Sequence, residues 1–169
     1  MVIDWFMFIL RLFAVLGLCL SLAAVLGLET TPAYAQDRDT PYWASMRFDE
    51  VNMRVGPSQE YKIDWVYKRK GLPVKVVRLR EGWRLIQDPD GVQGWVAQSQ
   101  LTPDRSALVI GEGLANLRDD PTAHSALRWR AEPGVVGQLN ECRQNWCELN
   151  IGGRTGWIES ARLWGAGKP

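Results

Sequence analysis

The chain has a single histidine, His124, among its 169 residues. One side chain with an ordinary pKa near neutrality excludes most acid–base designs built on histidine. Cysteine is scarce as well, present only as Cys19, Cys142 and Cys147. No second pair accompanies the last two, so a zinc site would lack ligands. Neither charge dominates: 20 Lys and Arg stand against 19 Asp and Glu, a net charge of +1. Such a balance offers no overall field for nucleic acid or an anionic bilayer, and neither is expected as a partner. There is no Gly-rich phosphate loop and no dinucleotide fingerprint, hence no cofactor to expect. Beyond Leu28 there is no long apolar run and no stretch at helical spacing.

What is present starts with one hydrophobic segment. Residues 12–28 carry no charge and follow Arg11, which reads as an N-terminal hydrophobic signal helix. Pro32 ends it, and Ala33-Tyr34-Ala35 supplies the small-x-small pattern of a cleavage site. Cleavage is expected after Ala35, making residues 1–35 a signal peptide and the mature protein periplasmic or secreted. The alternative is an uncleaved helix anchoring the chain, since residues 2–10 are also largely apolar and the combined run could span a bilayer. Asp4 is out of place in a region that should be positive, and a start at Met7 would remove it. Leu18 before Cys19 is too large for a lipidation site. In an oxidising compartment the two remaining cysteines, Cys142 and Cys147, read as a disulfide. Closing so short a loop is worth roughly 2 kcal/mol.

Residues 36–42 are polar and proline-broken, a linker. From Trp43 onward, short alternating apolar runs are separated by Gly, Pro, Asp and Asn, which predicts an almost wholly β protein. These runs are written twice. Asn52-Met53-Arg54-Val55-Gly56-Pro57 matches Asn116-Leu117-Arg118-Asp119-Asp120-Pro121 at a displacement of 64, shared by Trp65 and Trp129. Trp83 and Trp146 are displaced by 63, and Gly94-Trp95 and Gly156-Trp157 by 62. Slippage by single residues belongs to loops, so the unit is a module of about 60 residues in two copies. Strands are expected over 46–54, 61–67, 72–80, 82–87 and 92–97 in the first. Such units suit small β-barrels that hide their edges by partial closure.

Asn52-x-Arg54-x-Gly56-Pro57-Ser58, Lys70-Gly71, Glu81-Gly82-Trp83, Gly94-Trp95-Val96 and Leu101 together resemble the bacterial SH3-like family. The second copy is similar, with Asn116, Arg118, Gly134, Trp146, Gly156-Trp157 and Leu163, but carries Asp120 in place of Gly56. Asp tolerates left-handed backbone better than most residues. The resemblance implies two tandem SH3-like β-barrels, over 43–103 and 107–165. It implies modules outside the cytoplasm that accompany cell-wall enzymes and hold peptide or peptidoglycan-like material.

Candidate ligand-binding residues follow. Asn52 and Arg54 share one side of a strand, as do Asn116 and Arg118. Each guanidinium can hold a ligand carboxylate or staple the loop that follows it. Trp83 and Trp146 follow turns, at the rim or inside; a rim indole near Tyr61 would make a peptide or sugar platform. Trp95 and Trp157 are expected in the core. The run Lys68-Arg69-Lys70 reads as a solvated turn or an acidic-polymer contact. Glu81, Asp88 and Asp90 are the carboxylates nearest a cluster and read as turn formers. With no nucleophile–base pair in view, the chain is expected not to be an enzyme. The function expected is an extracytoplasmic non-catalytic binding module for cell-wall peptide, or alternatively for an envelope protein.

Overall fold

Alternating apolar positions fold here because each strand has one face to bury and turns short enough to return it. The computed structural model describes residues 39–169. The first module runs β1 (Tyr42–Met46), β2 (Val51–Arg54), β3 (Ile63–Tyr67), β4 (Pro73–Arg80), β5 (Trp83–Gln87), β6 (Gln93–Ala97) and β7 (Leu101–Thr102). The second repeats it as β8 (Ser106–Val109), β9 (Ala115–Arg118), β10 (Leu127–Ala131), β11 (Val136–Arg143), β12 (Trp146–Ile151), β13 (Arg154–Glu159) and β14 (Leu163–Trp164). One turn of 3₁₀ helix precedes each last strand.

Each module is one antiparallel sheet of seven strands, ordered β3-β2-β6-β5-β4-β1-β7 and β10-β9-β13-β12-β11-β8-β14. The expected barrels are corrected by this topology, because neither sheet closes on itself. Its end strands, β3 with β7 and β10 with β14, are not paired to each other. A terminal strand of two residues, such as β7, presents too short a ladder to seal the seam. Among the described residues there is no α-helix; the expected signal helix lies outside them.

Each sheet wraps its own core. Met46, Val51, Met53, Val74, Val76, Ile86 and Val96 are fully buried in the first, Val109, Leu117, Leu149 and Ile158 in the second. Close approach explains the repeated glycine of β6 and β13. A Cβ on Gly94 would collide with the Met53 side chain, and one on Gly156 would lie 2.8 Å from Leu117 Cβ.

The modules dock through side chains of β1, β4 and the second module's ends. The Ser45 and Ser106 hydroxyls are 2.6 Å apart, with the Asp104 carbonyl 2.7 Å from Ser45 Oγ and the Gly71 carbonyl 2.5 Å from Ser106 Oγ. Two hydroxyl protons serve two of these three contacts at a time: when one serine donates to the other, its own carbonyl contact is left without a proton. Trp43 meets Trp164 edge to face at 5.0 Å, Lys75 Nζ lies over both rings, and Trp43 Nε1 donates to the Gly167 carbonyl at 3.2 Å.

Candidate functional site

The paired Asn-x-Arg motifs end β2 and β9, so each arginine stands where its strand enters a long loop. Arg54 Nη1 donates to the Tyr61 carbonyl at 2.6 Å, and Arg118 Nη1 donates to the Ser125 carbonyl at 2.6 Å. Both reach across the loop in the same way and hold it shut. Asn52 is half-buried opposite Val66, while Asn116 is exposed opposite Arg130.

The loops differ in what fills them. The Tyr61 ring lies against Gly56, where a Cβ would come within 2.6 Å of it. In the second copy Ser125 stands in place of Tyr61, and its Oγ accepts from the Asp120 amide at 2.8 Å. Asp120 is therefore tolerated because no ring covers it. Left-handed backbone is not the reason, since neither Gly56 nor Asp120 has positive φ.

The tryptophans sort differently from expectation. Trp83 and Trp146 are half-buried at the first positions of β5 and β12, opposite Arg80 and Arg143. Among the described residues neither makes a ring contact with Tyr61. Trp95 is only half-buried and lies outside the first core, because its neighbour Val96 takes the inward position. Trp157 is buried beneath the Arg143 guanidinium, 5.4 Å from its ring, and Ile158 fills the core beside it.

Sequence reasoning used Trp65 and Trp129 only as markers of the repeat. They are the most conspicuous surface aromatics of the two edge strands, β3 and β10. Trp129 is 41% exposed but engaged: its Nε1 donates to the Thr155 carbonyl at 3.1 Å, and the Arg154 guanidinium sits 4.9 Å over its ring. Arg128 pairs with Asp119 on the same strand pair. In the first module Val92 precedes Gln93 as Arg154 precedes Thr155, and Asp64 and Val55 replace Arg128 and Asp119. Among the described residues Trp65 has no cation or acceptor and is left 60% exposed; Val55, Tyr61, Ile63 and Val92 of the same module are exposed too. The available signal was charge beside a strand tryptophan, a pattern that suits an edge rather than a core.

The carboxylates resolve into structure. Asp88 is buried and accepts from the Tyr67 hydroxyl at 3.0 Å, the Asp90 amide at 3.1 Å and the Val92 amide at 2.8 Å. Burial first, then the bond to Asp88 and its charge, push the Tyr67 phenol well above its usual range. Glu81 and Asp90 are exposed. In the basic run, Lys68 faces Glu50 at 3.8 Å and Arg69 donates to the Gly134 carbonyl of the second module. The expected disulfide is present, joining Cys142 and Cys147 across β11 and β12.

The model of the bacterial SH3 domain family matches residues 48–103 and again 111–165. YrvJ of Bacillus subtilis (strain 168), named provisionally as an N-acetylmuramoyl-L-alanine amidase, is 29% identical over 126 residues. That match takes in 66% of this chain and 23% of YrvJ, so the chain spans about a quarter of that relative's length. Two solved structures of Trichomonas vaginalis proteins, NlpC2 and NlpC1, align at 11% identity with TM-scores of 0.34 and 0.33. They cover 74% and 76% of this chain, and 48% and 47% of theirs. The likeness to YrvJ corrects one expectation. A protein similar to one named as an amidase cannot be set down flatly as no enzyme, and an inventory of side chains was too narrow a ground for that exclusion.

Proposed function

We propose that this chain, which belongs to the bacterial SH3 domain family, serves at the cell envelope by holding cell-wall peptide or peptidoglycan-like material. Export through residues 1–35, with cleavage after Ala35, would bring it there, and a mass measurement of the exported protein tests that step. The relative named as an N-acetylmuramoyl-L-alanine amidase supports the wall as the setting.

The observation that carries the reading is the open aromatic face of the first module. Trp65 is 60% exposed on an edge strand, with exposed Tyr61 and Ile63 close by in sequence and no hydrogen bond or cation on the indole among the described residues. An amphipathic ring of this kind gives a peptide or sugar a broad contact at small entropic cost. The test is co-sedimentation of the full chain with purified wall sacculi. Wild type pellets, and Trp65→Ala shifts most of the protein to the supernatant. A wild-type chain that stays in the supernatant at both low and moderate salt overturns the proposal.

A second reading rests on β3 itself. Its outer edge has no partner strand among the described residues, so an extended segment of an envelope protein can add to the sheet there. Cross-linking in intact cells separates the two: wall fragments favour the first reading, one recovered protein the second.

A further inference from the structure

We propose that the cleft between the two modules is a second binding site, which takes the free carboxylate end of an extended peptide. For the source of that peptide it rests on the wall-peptide reading. The cleft has a volume of about 890 Å³, toward the upper end of the range for small-ligand sites. Its charge is lopsided in a chain that is otherwise balanced. Arg47, Lys70 and Arg105 line it against one carboxylate, Asp104, and Asp104 already accepts from Thr102 Oγ1 at 2.8 Å.

These cations are not committed to internal ion pairs. Arg54, Arg118 and Arg162 hold loop carbonyls, whereas Arg47 and Lys70 are exposed and have no side-chain partner among the described residues. Arg105 is a different kind of cation. Its Nη2 donates to the Gly165 carbonyl at 2.6 Å, but its buried Nε–H has no acceptor among the described residues. Burial lowers its pKa, the mark of a charge with depleted hydration. Converging cations in a concave, partly dry site attract an anion more strongly than the same charges spread over a surface.

The opposite wall is suited to peptide bonds. Gln138 and Asn150 stand in register across β11 and β12 and both line the cleft. Asn150 Oδ1 accepts from the Gly153 amide at 2.9 Å, leaving its NH₂ free to donate. A phosphate polymer offers only acceptors; a peptide ending in a carboxylate offers acceptors to the cations and the amide NH₂ groups, and backbone N–H donors to the Gln138 carbonyl as well.

The test titrates the full chain with soluble peptides cut from purified sacculi, and with the same peptides after amidation of their carboxylates. Amidation is expected to weaken binding about tenfold, and so is the double substitution Arg47→Glu with Lys70→Glu. A control with Arg80→Glu and Arg130→Glu, two exposed arginines that do not line the cleft, is expected to bind as wild type does. Undiminished binding by the cleft variant overturns the proposal, as does equal loss in the control. Unchanged affinity after amidation, with competition by polyphosphate, assigns the cations to phosphate and likewise overturns it. If sacculi pellet the protein but soluble peptides do not bind, this proposal alone fails. If neither binds, the wall reading fails with it.

Discussion

The first module ties its β5–β6 turn to the edge strand with a buried carboxylate, whereas the second closes its β11–β12 hairpin with a covalent bridge. In the first, Asp88 ties the β5–β6 turn to Tyr67 on the edge strand through three hydrogen bonds. In the second, Ala131 and Ile151 stand at the corresponding places, Asn150 caps the shorter β12–β13 turn through the Gly153 amide, and Cys142–Cys147 closes the preceding hairpin, β11–β12. The difference teaches that one strand plan accommodates both a polar and an apolar flank, provided some other group constrains the turns. It also makes the modules respond to different chemistry.

Substituting Asp88→Ala is the harshest way to break that comparison. It leaves the Tyr67 hydroxyl without its carboxylate acceptor and two turn amides uncapped, at a cost of about 3 kcal/mol. Hydrogen exchange read by mass spectrometry should show protection lost in residues 42–102 and kept in the second module. Equal loss in both would mean that docking makes them one cooperative unit. Replacing Cys142 and Cys147 by alanine is expected to cost about 2 kcal/mol, with the exchange pattern reversed.

Alkali should act on the first module alone. The Tyr67 phenol is raised in the fold, so its contribution is complete below the unfolded value of about 10 and is lost as pH climbs from there toward the folded value. The expected loss is up to about 1.4 kcal/mol per pH unit above about 10. Denaturant melts across that range should show the decline, and Tyr67→Phe should remove it. The smallest effect sharpens the contrast at the edge strands. Trp129→Ala should destabilise its module by about 1 kcal/mol, through the lost Arg154 stacking and Thr155 bond. Trp65→Ala should leave chemical denaturation nearly unmoved while affecting wall binding.

The repeat was legible because residues that set strand register, Asn52, Arg54 and Gly94 among them, recur while length changes are confined to turns. The disulfide was legible for a related reason, since Cys142 and Cys147 face each other in register. Sheet closure was not, because it depends on whether strands distant in sequence can share a ladder, and alternation is silent on that. The role of Arg54 needed the position of the Tyr61 carbonyl, which no motif states. Trp65 escaped notice because a strand tryptophan is ordinarily a core residue, and only its place at the sheet edge exposes it. The docking of the modules was hidden for the plainest reason: Ser45 meets Ser106 across 61 positions and Trp43 meets Gly167 across 124.

The clasp formed by Trp43, Trp164 and Gly167 has a mechanical consequence. It joins the first strand of the described region to the residues that follow the last, so tension applied between residues 39 and 169 would load the clasp first. An indole edge contact and one hydrogen bond part more readily than a ladder pulled along its length. Once the Ser45–Ser106, Ser106–Gly71 and Arg69–Gly134 bonds parted after it, the modules would yield as two beads on a string, with each fold still intact.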